Sequence, residues 1–223
     1  MDLKLVFDAI RKAVAGVVAV IILVFLPAGT VHYWNAWLFA AILFIPMIIM
    51  GIVLYLKAPE LLRKRLNERE SESEQKRVVA WSALMFIAGF VLAGFDFRFG
   101  WSHLPRWAVY VAAVVFLLGY AMYAEVMREN AYLSRTIEVQ ENQQVVDTGL
   151  YGIVRHPMYT STLLMFLATP FVLGSAVSFI VFLVYPILIA KRIRNEEAIL
   201  EQGLEGYGDY KQRVKYRMIP RIW

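Results

Sequence analysis

The sequence predicts an all-α protein: a polytopic transmembrane helical bundle of five to six spans, the last two forming a helical hairpin. Three observations predict this. Hydrophobic residues make up 60% of the 223 positions. Charged residues make up 18%, against about 25% in an average soluble domain. The apolar residues are gathered into runs close to the roughly 20 residues that a helix needs to cross hydrocarbon.

Four long runs come first, at about 12–28, 34–56, 79–97 and 107–127. Leu, Val, Ile, Phe and Ala dominate them, and charges stay near their ends. The first has a basic flank like a signal peptide, but "LPAGTVHYW" is a poor cleavage site, so the run is read as a span. Pro46 is expected to kink the second. Residues 1–127 therefore form one region of four helices, with a cytoplasmic loop at 57–78. The second region, 128–223, has a different character. It is polar to residue 157, then apolar over 158–173 and 175–191, then polar again. Thr169-Pro170 and Gly174-Ser175 are both expected to break helices, so these two short pieces read as a tight hairpin.

Lysine and arginine counts set the orientation. The loop 57–78 carries seven and the tail from Lys191 eight, whereas 29–33 carries none. Both termini, the 128–157 segment and the tail then face the cytoplasm, and the chain belongs in the inner (cytoplasmic) membrane. The formal net charge of +5 is assigned to headgroup-facing loops rather than to nucleic acid. The chain has no cysteine, which excludes disulfides and thiolate nucleophiles. Its three histidines, His32, His103 and His156, are too scattered to predict a metal site. The charge run "RLNERESESEQKR" (65–77) reads as a solvated helix or loop. The aromatic stretch 95–107 reads as an interfacial belt, with Asp96 and His103 on the outer side and not catalytic.

Two stretches carry chemistry. In "TGLYGIVRHPMYTSTLL" (148–164), Pro157 suits the first turn of a helix and pushes His156 toward an extended conformation. A helix start there would aim its free N–H groups at Tyr151, Arg155, His156 and Tyr159, and it would attract an anion. In "KRIRNEEAILEQG" (191–203), Arg192 and Glu196 are four apart and share a helical face. Glu197 points elsewhere, toward Arg194, and Gly203 ends the helix. The aromatic and basic tail beyond either lies along the membrane surface or folds over the loop.

Taken together, "VVDTGLYGIVRHPMY", an apolar hairpin, "RIRNEE", "YGDYKQRV" and a terminal "IP" resemble the isoprenylcysteine carboxyl methyltransferase family. The resemblance covers roughly residues 130–221. It implies an S-adenosylmethionine-dependent methyltransferase whose cytoplasmic cofactor pocket is built from C-terminal loops and tail. Val145, Val146, Tyr151, His156, Pro157, Met158 and Tyr159 would bind the cofactor. Arg192 and Glu196 would act on the acceptor, with Glu197 the alternative glutamate. No metal or nucleic acid is implied. The partners are membrane lipids and a lipophilic methyl acceptor that enters from the bilayer between the last spans, an isoprenylcysteine-like carboxylate being one candidate. The alternatives are an NADPH-dependent enzyme of the sterol-reductase type and a non-enzymatic membrane binding protein.

Overall fold

The computed structural model describes residues 2–67, 73–134, 136 and 139–223, with the side chains of 73 and 74 left aside. The described elements are helical, with no strand among them. The first two helices are α1 (Leu3–Ala28) and α2 (Trp34–Lys57), followed by a short α3 (Pro59–Leu66). Next come α4 (Ser73–Phe99) and α5 (Arg106–Glu129). After a long loop with one 3-10 turn (Gly149–Gly152) come α6 (Pro157–Val172), α7 (Ala176–Phe182), α8 (Tyr185–Gly203) and α9 (Tyr207–Arg213).

Five segments are long and apolar enough to cross a membrane: α1, α2, Gln75–Phe99 of α4, α5, and α7 together with α8. The chain is therefore an integral, multi-pass membrane protein. Of the five to six spans expected, α6 is the shorter one. Its 16 residues extend about 24 Å, less than the roughly 30 Å of a hydrocarbon core. Large apolar side chains such as Ile52, Leu56, Val114 and Leu118 stay exposed, as faces for hydrocarbon rather than for water. Buried contacts run through the centre, from Phe25 and Phe39 to Phe116 and Phe182. Helices α5 and α6 pack along most of their length. A Cβ at Gly119 would come within 2.9 Å of Met165 and 3.0 Å of the Ser161 carbonyl, so only glycine permits this approach.

The hairpin differs from its predicted form. Helix α6 does not break at Thr169-Pro170; it runs through both to Val172. Pro170 stands in the last turn, so little helix remains for it to disrupt, and Thr169 Oγ1 donates to the Met165 carbonyl at 2.9 Å. The break comes at Gly174-Ser175, where Ser175 Oγ caps α7 by accepting from Ser178 N at 3.0 Å.

This turn belongs to a buried polar cluster. Asp96, 1% exposed near the end of α4, accepts from Ser102 N at 2.6 Å and Ser102 Oγ at 2.7 Å, and from Ser175 Oγ. The stretch around it carries exposed Phe97, Phe99, Trp101 and Trp107, as an aromatic belt requires. The start of α4 lies about 35 Å from Asp96 by helical rise, at the other end of the bundle. The charge run 65–77 lies partly outside the described residues, but what is described is not simply solvated. Gln75 is fully buried, and Arg65 turns inward to the Ser134 carbonyl at 3.0 Å and to the Tyr123 hydroxyl. Gln75 is buried because it falls in register with Val78 and Met85 on the inner stripe of α4.

Candidate active site

Helix α6 begins at Pro157, where the sequence places it, with His156 as the cap residue. The loop before it is held by the tail. Arg155 N donates to the Tyr216 carbonyl at 2.9 Å, and His156 N to the Arg217 carbonyl at 2.8 Å. Thr160 Oγ1 reaches the Met218 carbonyl at 2.8 Å, and Tyr210 Oη the Tyr151 carbonyl at 2.8 Å. Of the two placements open to the tail, folding over the loop is the one observed.

Glu197 is the hinge pin of this arrangement. It does not pair with Arg194, as local helical spacing suggested, but faces inward at 3% exposure. Tyr185, Ile189, Ile193 and Glu197 recur every four residues and form the buried stripe of α8. A carboxylate on that stripe must be compensated. Its Oε1 accepts from Arg155 Nε at 2.8 Å and lies 3.3 Å from His156 Nε2; its Oε2 accepts from Arg217 Nε at 2.9 Å. Arg155 also donates from Nη1 to the Val214 carbonyl at 2.6 Å. The loop entering α6 thus already holds a carboxylate, that of Glu197.

Arg192 and Glu196 occupy the neighbouring face of α8, four residues apart as expected. They meet through Tyr159 of α6. Arg192 Nε donates to Tyr159 Oη at 3.0 Å, and Tyr159 Oη donates to Glu196 Oε2 at 2.6 Å. Arg192 Nη1 donates to Gln75 Oε1 at 3.0 Å, which ties α8 to the start of α4.

Tyr159, Arg192 and Glu196 border one cavity between the 130–159 segment, α8 and α9. Eight of the nine residues singled out from the sequence line it: Val145, Val146, Tyr151, His156, Met158, Tyr159, Arg192 and Glu196. Pro157 does not; it forms the first turn of α6 behind them. Upstream, Thr136 also lines the cavity, while Gln140 turns back to the Tyr132 carbonyl at 2.6 Å. Gln143, Gln144, Leu200, Leu204, Tyr207 and Tyr210 are among the other lining residues and were missed. The spacing of Leu200, Leu204 and Tyr207 after Glu196 is the signal that would have found part of this wall.

The Tyr207 hydroxyl is buried with no hydrogen-bond partner among the described residues. Burial, reinforced by the carboxylates of Glu197 and Glu196, pushes its phenol above the usual range. It therefore stays protonated and can donate. Burial likewise raises the Tyr151 phenol, whose oxygen accepts from Asn130 Nδ2 at 2.9 Å.

Residues 110–202 match the family model described as "Isoprenylcysteine carboxyl methyltransferase (ICMT) family". Among solved structures, the eukaryotic intramembrane Ras methyltransferase ICMT shares the fold. The TM-score is 0.59 at 20% identity, over 96% of this chain and 77% of the other. Two curated relatives are Delta(14)-sterol reductases. The one from Mus musculus is 31% identical over 40% of this chain and 22% of its own length. The one from Methylotuvimicrobium alcaliphilum is 23% identical over 54% of this chain and 32% of its own length. The chain thus spans between a fifth and a third of the curated relatives it matches. The family-model match thus covers residues 110–202, less than half of the chain, and the solved structure shares its fold.

Proposed function

We propose that the protein is an integral membrane methyltransferase that uses S-adenosylmethionine and acts on a lipophilic acceptor, with its site on the cytoplasmic side. The observation that carries this reading is the Tyr159 bridge. It sets an arginine and a glutamate of α8 on the same cavity as the loop of Val145, Val146 and Tyr151.

The residues present fit an adenosyl-sulfonium ligand. Val145, Val146 and Leu204 offer apolar walls to a purine, and the open Tyr207 hydroxyl offers a donor. Tyr151, His156, Met158 and Tyr159 would hold the remainder, and Glu196 would balance a positive charge. When bound, the cofactor supplies an electrophilic methyl on sulfonium, whose charge is lost as the methyl passes to the acceptor. The protein's own task is then to position and to stabilise charge. Arg192 faces the acceptor and can hold a carboxylate oxygen, and Tyr159 keeps its guanidinium in place. A carboxylate acceptor is ionised at neutral pH, about 3 units above its ordinary pKa of about 4, so no base has to remove a proton.

An apolar groove of about 670 Å³ between α1, α2 and α5 offers the acceptor's lipid part a way in from the bilayer. Arg65 and Tyr123 stand at its head, and Arg65 also reaches Met158 Sδ at 3.9 Å on the cavity wall. This route lies on another side of the bundle from the gap between the last spans that the sequence suggested.

The test is calorimetry on detergent-purified protein with S-adenosylhomocysteine and with NADPH. We expect the first to bind and the second not to. Binding of NADPH alone would overturn the reading in favour of a reductase.

A further inference from the structure

One turn of the tail is built against its local preference. Ile222 N donates to the Ile219 carbonyl at 3.1 Å, with Pro220 and Arg221 between them. Proline suits the second position of such a turn, but Arg221 holds φ at 66°, where a turn favours glycine or asparagine. The four side chains of the turn are exposed, Ile222 at 77%. Trp223 fixes the turn from behind. It packs against the central core and under the Arg217 guanidinium. Its main-chain oxygen accepts from the N–H groups of Arg217, Met218 and Ile219 at 3.0, 3.0 and 3.1 Å.

The face turned away from the loop continues beyond this turn. Tyr216 and Ile153 are exposed, and Ile153 lies two residues before Arg155, whose N–H holds the Tyr216 carbonyl. Lys215 and Arg221 are exposed and have no carboxylate partner among the described residues. The face sits where the bundle leaves hydrocarbon. Thr160, in the first turn of the apolar α6, donates to the Met218 carbonyl at 2.8 Å. Tyr159 beside it accepts at 3.0 Å from Arg192, which follows the apolar run of α8. Isoleucines flanking an unpaired cation at this level suit the interfacial layer of a leaflet.

We propose that the turn 219–222 is a membrane foot. Ile219 and Ile222 enter the interfacial layer beside α6, while Arg221 and Lys215 meet the phosphates of anionic lipid. The unfavourable φ of Arg221 is then offset by a contact that glycine cannot make. The leaflet holds the tail from outside, as Glu197 and the Tyr151 carbonyl hold it from inside. The inference rests on the fold and stands apart from the methyltransferase reading.

The chain has no cysteine, so a single fluorophore can be placed at will. Ile222→Cys is labelled with bimane, with Glu205→Cys as the control. Glu205 is exposed just past α8, whose end lies about 18 Å beyond Lys191 by helical rise. Both proteins go into nanodiscs of phosphatidylcholine, alone or mixed with phosphatidylglycerol. A lipid with a nitroxide near its headgroup should quench the label at 222 at least about threefold more than the label at 205, and aqueous acrylamide should show the reverse order. Phosphatidylglycerol should strengthen the lipid quenching at 222. Adding Arg221→Gly should remove about half or more of that gain, although glycine suits the turn better. Equal acrylamide access at 222 and 205 would overturn the proposal, as would lipid quenching indifferent to phosphatidylglycerol. If Ile222→Cys does not fold, Pro220→Cys carries the label and should give the same readings.

Discussion

Two buried carboxylates, Asp96 and Glu197, stand at opposite ends of the bundle, 1% and 3% exposed. The Asp96 end is closed. Its donors are neutral, come from Ser102 and Ser175, and tie two turns together. The Glu197 end is compensated by Arg155, Arg217 and His156, yet the network around it stays open. Tyr207 Oη beside it, on the cavity wall, has no partner among the described residues. A polar cluster that satisfies itself is architecture. One that leaves a buried donor open is prepared for something that arrives later.

Three substitutions break or sharpen this contrast. The largest effect is expected from Glu197→Ala. It leaves Arg155, whose side chain is 4% exposed, buried without its counter-ion, and it releases the tail from the loop. Thermal unfolding in detergent should report a loss of about 3–5 kcal/mol, and S-adenosylhomocysteine binding should disappear with it. Retained ligand binding would mean that the tail does not need Glu197 to cover the site. Asp96→Ala should cost about 2 kcal/mol in the same unfolding measurement and leave ligand affinity unchanged. A drop in affinity would show that the far end is not purely architectural. The smallest and most diagnostic change is Tyr207→Phe. Removing an unmatched hydroxyl should leave the empty protein as stable or slightly more so, while weakening S-adenosylhomocysteine binding about five- to tenfold. Equal affinity for both proteins would remove Tyr207 from the ligand contacts.

The parts of the fold legible in the sequence are those set by short-range rules. Hydrocarbon thickness dictated the long apolar runs; the proposed spans match α2 and α5 closely and fall within α1 and α4, which begin earlier, at Leu3 and Ser73. Pro157 and Gly203 marked the start of α6 and the end of α8 because a missing N–H and a missing Cβ act locally. Helical spacing put Arg192 and Glu196 on one face. What stayed hidden depends on partners far along the chain. Arg155 and Glu197 are 42 positions apart, and Gln75 and Arg192 are 117 apart. Local spacing gave Glu197 to Arg194, but burial of the Tyr185–Ile189–Ile193 stripe decided otherwise. Position within a charge run likewise made Gln75 look solvated, although its register with Val78 and Met85 already marked the inner face. Pro170 misled for the converse reason: its breaking power depends on how much helix follows it.

The strap that runs from Tyr207 to Met218 has a consequence for biogenesis. It is translated after α8, so a nascent chain with all its apolar helices inserted still has Glu197 without Arg217 and a cavity without the Tyr207–Tyr210 wall. The cavity wall is therefore completed only by the last stretch of chain to be made, after every apolar helix.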